Sequence, residues 1–275
     1  VIADYFHVFH PKVREVIFEK AGVELNDTIL IVDEAHNLPS RTRSLFTASL
    51  SVPKLDHAMT ECETFGYYNE GEKLERLKSI LNRLAADKLG MGEHEVEIEK
   101  KDLKEPIDNF QEIGDLVVEL ENVAEEVQEE QETSHCASVA EFLDSWTGED
   151  RGFIRFLKRA RTGSNERIIK VKYSCLDPQI STKTPLNKSH ASILMSGTLT
   201  PQEMYADLLG IKEARKETFE SPFPDENELN LVVPTLTSKY SERDDDMLQK
   251  YAWYLKQSFE AVDGNCGVFF PSYQM

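Results

Sequence analysis

Thr28-Ile29-Leu30-Ile31-Val32-Asp33-Glu34-Ala35-His36-Asn37-Leu38-Pro39 is the stretch that decides the fold. Ile29 to Val32 are aliphatic without a polar break, and such a run reads as a strand buried on both faces of a parallel sheet. Two carboxylates follow at once. In parallel α/β sheets ligands bind beyond the carboxyl ends of the strands, so Asp33 and Glu34 stand where a ligand would arrive. The pair suits two separate tasks in phosphoryl transfer: Asp33 to hold Mg²⁺ through water, and Glu34 to orient and polarise an attacking water. His36, two residues on, is placed to pass the state of a nucleotide to neighbouring groups. A zinc-hydrolase reading fails, because the chain has no His-Glu-x-x-His pair at helical spacing.

Working outward, residues 1–6 read as a strand, and Val13, Val16, Ile17 and Ala21 repeat at helical spacing with Gly22 as a stop. Strand, helix, strand in that order predicts an α/β domain. Beyond Pro39 a short strand is expected over 46–52. Leu74, Leu77, Ile80, Leu81 and Leu84 then mark one helix, and the apolar positions from Ile107 to Val127 mark a second, of about five turns. Strand character returns at 168–171 and 192–195. A helix over 202–209 closed by Gly210, a strand at 229–233, a helix near 247–261 and a strand at 267–270 complete the expected order.

The 275 residues are 40% hydrophobic and 29% charged, with a net charge of −19. That balance excludes coating nucleic acid by bulk charge, so the placement of charge matters more than its sum. No apolar run approaches the roughly 18–20 residues needed to span a bilayer, and no membrane partner is expected. Residues 93–132 hold 16 acids against three lysines. This segment is either a solvated helix face or a docking surface for a basic partner protein. Residues 151–172 reverse the sign, with eight basic residues and one acid. Phe153, Ile154, Phe156, Leu157 and Ala160 read as an apolar helix face beneath them. Such a stripe is either a phosphate-tracking surface or a neutralising neighbour of the acidic helix. Cys62, Cys136, Cys175 and Cys266 are far apart, which suggests neither a zinc knuckle nor a disulfide framework and fits a reducing cytoplasm.

Two further segments end apolar strands. Met195-Ser196-Gly197-Thr198-Leu199 combines small hydroxyl residues with a glycine, which lets a loop approach a neighbouring strand and hydrogen-bond side chains such as His36. Phe269-Phe270-Pro271-Ser272-Tyr273 ends in groups able to contact a nucleic-acid backbone.

With Ala3-Asp4-Tyr5, the DEAH box at 33–36, Tyr173-Ser174-Cys175-Leu176-Asp177-Pro178, Ser221-Pro222-Phe223-Pro224 and Thr237-Ser238-Lys239-Tyr240, these segments resemble the XPD group of superfamily 2 DNA helicases, the iron–sulfur helicases. The resemblance implies an α/β fold of RecA-like motor domain pieces interrupted by a mostly helical Arch insertion. Residues 1–44 would belong to the first motor domain, 45–169 to the Arch, 170–199 to the return strands of the first motor domain, and 200–275 to the start of the second. It implies ATP-driven 5′→3′ translocation on single-stranded DNA, threaded through a hole bounded by the Arch and an iron–sulfur domain, in DNA repair. ATP, Mg²⁺ and a 4Fe–4S cluster are the implied cofactors.

On that reading Asp33, Glu34 and His36 serve hydrolysis, and Ser196, Gly197 and Thr198 serve coupling. Arg151, Arg155, Lys158, Arg159 and Arg161, with Ser272 and Tyr273, would meet DNA. Two departures are plain: the chain has no G-x-x-x-x-G-K-[ST] phosphate loop, and no clustered cysteines to ligate an iron–sulfur cluster. The expectation is an internal slice of a helicase, inactive as an ATPase alone, from an archaeal cytoplasm or, for a eukaryotic source, a nucleus. Competing readings are an Arch-type module docking a basic partner and an RNA helicase of the wider DEAH group.

Overall fold

The computed structural model describes residues 1–90, 93–161, 167–239 and 242–272. It divides into two compact units, Val1–Lys216 and Glu217–Met275. The first opens with helices α1 (Tyr5–Phe9) and α2 (Pro11–Ala21). The strand expected over 1–6 does not form, because the Asp4 carboxylate accepts the Phe6 N–H at 2.9 Å and starts a helix there. Gly22, at φ 63°, ends α2 in the left-handed conformation, as the sequence indicates.

β1 (Ile29–Val32) leads through a 3₁₀ turn to α3 (Leu38–Leu45), then β2 (Ala48–Ser51), α4 (Val52–Phe65) and α5 (Tyr68–Lys88). Next come β3 (Glu95–Glu97), α6 (Lys100–Asp108), α7 (Ile113–Glu130) and α8 (His135–Trp146). β4 (Phe153–Arg161), β5 (Arg167–Cys175), α9 (Gln179–Lys188), β6 (Ala191–Leu194) and α10 (Gln202–Leu209) complete the unit.

Two sheets organise these elements. β1 and β6 pair in parallel, Ile29 opposite Ala191 and Val32 opposite Leu194. Leu30 and Val32 are buried, and Val32 joins a small core with Phe9, Ala35, Leu38, Leu186 and Leu209. Ile29 and Ile31 are 58% and 63% exposed, so the strand is buried on one face rather than both. Helices supply the covering on that one side only.

The second sheet is antiparallel, in the order β2-β5-β4-β3. It packs against the helices α4 to α8 around a larger core that includes Leu55, Leu81, Leu120, Phe142 and Trp146. The long helix expected from Ile107 to Val127 is broken. Its first part belongs to α6, and the Asp108 carboxylate then accepts the Ile113 N–H at 3.2 Å to start α7.

The described parts of the basic stretch, 153–161 and 167–172, are antiparallel strands rather than a helix face, and residues 162–166 lie outside the described residues. Arg155 and Leu157 are buried while Ile154, Phe156 and Lys158 are only half-buried, a period of two that belongs to a strand. The insert therefore carries a four-stranded sheet in addition to its helices.

In the second unit, α11 (Asp245–Ala261) forms as expected, its start capped by the Asp244 side chain on the Met247 N–H at 2.8 Å. The strands expected at 229–233 and 267–270 do not form. Leu229, Leu231 and Val232 are 79–88% exposed, and no described residue offers them a ladder. Among the described residues no helix is long and apolar enough to cross a membrane.

Candidate active site

The carboxyl end of β1 holds the DEAH segment in a tight, cross-linked turn. Glu34 adopts φ 47°, ψ 42°, a left-handed conformation that is uncommon outside glycine. Three contacts hold it. The Glu34 N–H donates to Asp33 Oδ1 at 2.9 Å, and the Tyr5 hydroxyl donates to the carbonyls of Asp33 (2.7 Å) and Glu34 (3.3 Å). Burial, and then the Asp33 charge, push the Tyr5 phenol above its ordinary range, which keeps it a donor.

β6 delivers the second segment alongside. The Met195 N–H donates to the Val32 carbonyl and the Ala35 N–H to the Met195 carbonyl, both at 3.0 Å, so the parallel ladder continues into the turn. That register sets Ser196 beside the DEAH side chains. His36 Nδ1 lies 2.6 Å from Ser196 Oγ and 3.1 Å from Glu34 Oε2, and Ser196 Oγ donates to Glu34 Oε2 at 3.3 Å. With the Nδ1–H tautomer, His36 donates to Ser196 and Ser196 to Glu34, a relay of two hydrogen bonds. The Thr198 N–H donates to Ser196 Oγ at 3.1 Å and fixes the hydroxyl from behind. Gly197 has a plainer place: a Cβ there would meet nothing within 4 Å, so close approach does not require the glycine.

The structure thus brings together Asp33, Glu34, His36, Ser196 and Thr198. Tyr5, quoted in the Ala3-Asp4-Tyr5 segment without a role, gains one here: its hydroxyl reaches main-chain oxygens 28 and 29 residues away. The Glu34 side chain is 61% exposed, so its second oxygen faces solvent. Asp33 Oδ2 has no partner among the described residues. One free carboxylate oxygen fits Mg²⁺, which keeps several waters and takes its remaining ligands from phosphates. Among the described residues no group of three or more His, Cys, Asp or Glu is arranged to hold a metal by itself. The cysteines do not fit an iron–sulfur cluster: Cys62 and Cys136 adjoin each other, whereas Cys175 lies on β5 and Cys266 in the second unit.

The residues expected to meet DNA separate sharply. Arg155 is 5% exposed and structural. Its guanidinium donates to the carbonyls of Trp146 (2.9 Å) and Gly148 (2.8 Å), pairs with Asp150, and lies 4.5 Å from the centroid of the Tyr173 ring. Arg159 donates to the carbonyls of Leu89, Gly90 and Glu93 at 2.9–3.1 Å, tying down the chain after α5. Arg151 is exposed, and Arg161 is placed only by its backbone at the end of β4. In the second unit Ser272 Oγ accepts from Arg243 at 3.1 Å, while Tyr273 lies outside the described residues.

Lys158 alone of the hairpin arginines and lysines singled out stands on the outer sheet face, and it has company. Register places Lys170 opposite Lys158 and Lys172 opposite Phe156. The ammonium groups of Lys158 and Lys172 sit 5.7 and 5.6 Å from the Phe156 ring centroid. Burial first, and then the like charges of Lys158, Lys172 and Lys54, hold Lys170 below the ordinary lysine range. None of these four lysines is in an ion pair among the described residues. β3 sets Glu95 across from Lys158 at the edge of this face. Beyond its other edge an open cleft of about 460 Å³ is lined by Ser40, Arg43, Ser44, Lys172 and Ser174.

The DEAD_2 family model matches residues 1–55. The ATP-dependent DNA helicase XPD of Sulfolobus acidocaldarius is 26% identical over 283 residues, covering 98% of this chain and 45% of its own length. The ATP-dependent DNA helicase CHL1 of Vanderwaltozyma polyspora is 23% identical over 296 residues, covering 93% of this chain and 34% of its own length. A solved apo structure of XPD superposes with a TM-score of 0.59 at 22% identity, over 98% of this chain and 50% of that one, a likeness of fold. The chain therefore spans less than half the length of the curated relatives it matches.

Proposed function

We propose that this chain, XPD-like in sequence and in fold, contributes the hydrolysis and sensing half of an ATP-driven motor that moves 5′→3′ on single-stranded DNA. The observation that carries the reading is the Glu34–Ser196–His36 relay at the adjoining ends of β1 and β6. Glu34 would orient and deprotonate the attacking water through its solvent-facing oxygen. Mg²⁺, held by Asp33 through water, would neutralise phosphate charge. The relay would carry a change at Glu34 to Ser196 and Thr198, and so to the backbone that continues from β6. Gly197 we retain in the coupling loop as a spacer between two hydroxyl residues.

The chain lacks a phosphate loop, and a helix N-terminus with glycine-rich backbone is what cradles the phosphates elsewhere. ATP hydrolysis by the chain alone should therefore equal that of a Glu34→Gln control, with or without single-stranded DNA. Turnover above that control would refute the claim of half a site. An iron–sulfur cluster, implied by the family, finds no ligand set in these cysteines. DNA repair in a reducing compartment, cytoplasm or nucleus, is the setting that fits the relatives.

For DNA contact we place Lys158, Lys170 and Lys172 on the outer sheet face of β4 and β5, with Lys54 from the first turn of α4 near Lys170 and Arg151 just before β4; Ser272 and Tyr273 stay separate candidates within the second unit. Competition between single-stranded DNA and RNA of one sequence separates this from an RNA motor. A second reading has its own observation: Glu121, Glu125, Glu129 and Glu130 form an exposed acidic face on α7. A pull-down that loses a basic protein partner when these four are neutralised would establish a docking role for that face.

A further inference from the structure

Cys62 and Cys136 stand 74 residues apart in sequence, yet their sulfurs are 3.5 Å apart and both side chains are fully buried. Cys62 lies in the last turn of α4 and Cys136 in the first turn of α8, two helices that pack together in the core of the insert. Nothing in the proposed hydrolysis or DNA contact uses either thiol. We infer that Cys62 and Cys136 are an oxidisable dithiol, which hydrogen peroxide closes to a disulfide that staples α4 to α8.

The geometry asks little of the fold. A disulfide brings its sulfurs to about 2 Å, so side-chain rotation must close roughly 1.5 Å between helices already in contact. The two thiols are also unequal. The Cys136 thiol is 3.6 Å from the Ala58 carbonyl and sits beside the buried Glu61 carboxylate, which accepts the Cys136 N–H at 2.6 Å. The Cys62 contact, burial and the Glu61 charge hold the Cys136 thiol protonated well above its ordinary range. The same contact, with Cys136 as donor, draws Cys62 below it. In the proposed reaction Cys62 attacks first and Cys136, whose S–H the Ala58 carbonyl can also hold, resolves.

The steps balance. The Cys62 thiolate attacks one peroxide oxygen, the O–O bond breaks, and a sulfenic acid and hydroxide result. Cys136 sulfur then attacks the Cys62 sulfur, the S–O bond breaks, and the Cys136 proton leaves with the oxygen as water. Two thiols and one peroxide give one disulfide and two waters. Because both sulfurs are enclosed, peroxide enters through local opening of the α4–α8 contact, and the bond then restrains the chain between two positions 74 apart.

The other two cysteines are internal controls. Cys175 is buried on β5 and Cys266 is exposed in the second unit. The test is to treat the folded chain with hydrogen peroxide, block remaining thiols after unfolding, and map the peptides by mass. The expected result is a Cys62–Cys136 linked peptide lighter by two hydrogens, and a raised melting temperature that dithiothreitol reverses. Cys136→Ser should abolish the link and leave Cys62 as a sulfenic or over-oxidised species. Recovery of Cys62 and Cys136 as blocked, unlinked thiols would overturn the inference, and so would linkage of either one only to Cys266. The unsubstituted chain decides the matter by itself if the variant fails to fold.

Discussion

A single hydroxyl and a single guanidinium show how differently two polar residues serve this chain. Ser196 is half-buried and touches three residues, His36, Glu34 and Thr198. Ser196→Ala should cost about 0.5–1.5 kcal/mol of stability, the net worth of a typical hydrogen bond. It should alter the His36 imidazole nitrogen shifts in a ¹⁵N NMR spectrum, because the nearer Nδ1 partner is gone and only Glu34 Oε2 remains; unaltered shifts would mean the relay is absent in solution. Arg155 is the opposite case. Replacing it by alanine strands the carbonyls of Trp146 and Gly148 and empties the space against Tyr173. A loss of about 2–4 kcal/mol in urea denaturation is expected. A charge reversal there would unfold the hairpin rather than report on DNA.

At the scale of elements, the β4–β5 hairpin joins one buried and one open face. Tyr173 is on the buried side: its hydroxyl donates to the Glu149 carbonyl at 2.6 Å, and burial, opposed by the Arg155 charge, pushes the phenol from 10.0 up to about 12. The folded chain then keeps a proton that the unfolded chain releases near pH 10. Stability from this group is whole below about pH 10 and is lost as pH rises toward 12. Alkaline melts should show that loss in the natural chain and a flatter profile in Tyr173→Phe. On the open side, Lys158→Glu with Lys172→Glu should weaken single-stranded DNA binding. The slope of log affinity against log salt should fall by about 0.7 for each phosphate contact removed. Unchanged binding and slope would leave this face without a role in DNA contact.

The same hairpin marks where sequence reading stops. Phe153, Ile154, Phe156, Leu157 and Ala160 satisfy a helical repeat as well as an alternating one, and only the partner strands β2, β3 and β5 choose between them. β1 was readable because four aliphatic residues end in two carboxylates, and α10 because Gly210 takes φ 68° at its end. The start of α1 was not, since a single capping bond from Asp4 outweighs the strand propensity of Val1 and Ile2.

Across the whole molecule, the DEAH and Ser-Gly-Thr segments are 160 residues apart in sequence and meet only because β1 and β6 pair in parallel, with the entire insert between them. Each segment was legible alone as polar residues ending an apolar strand. Their junction was legible in the small hydroxyl residues able to reach His36, whereas Tyr5, quoted only within the Ala3-Asp4-Tyr5 match, carried no assigned role. At that junction Glu34 is the group proposed to act on water. The direct test is single-turnover ATP hydrolysis by a full-length protein that carries this chain together with a phosphate loop, comparing the natural sequence with Glu34→Gln. The expected result is a fall of about 10²–10³-fold with single-stranded DNA binding retained. Hydrolysis by Glu34→Gln at the rate of the natural protein would contradict it.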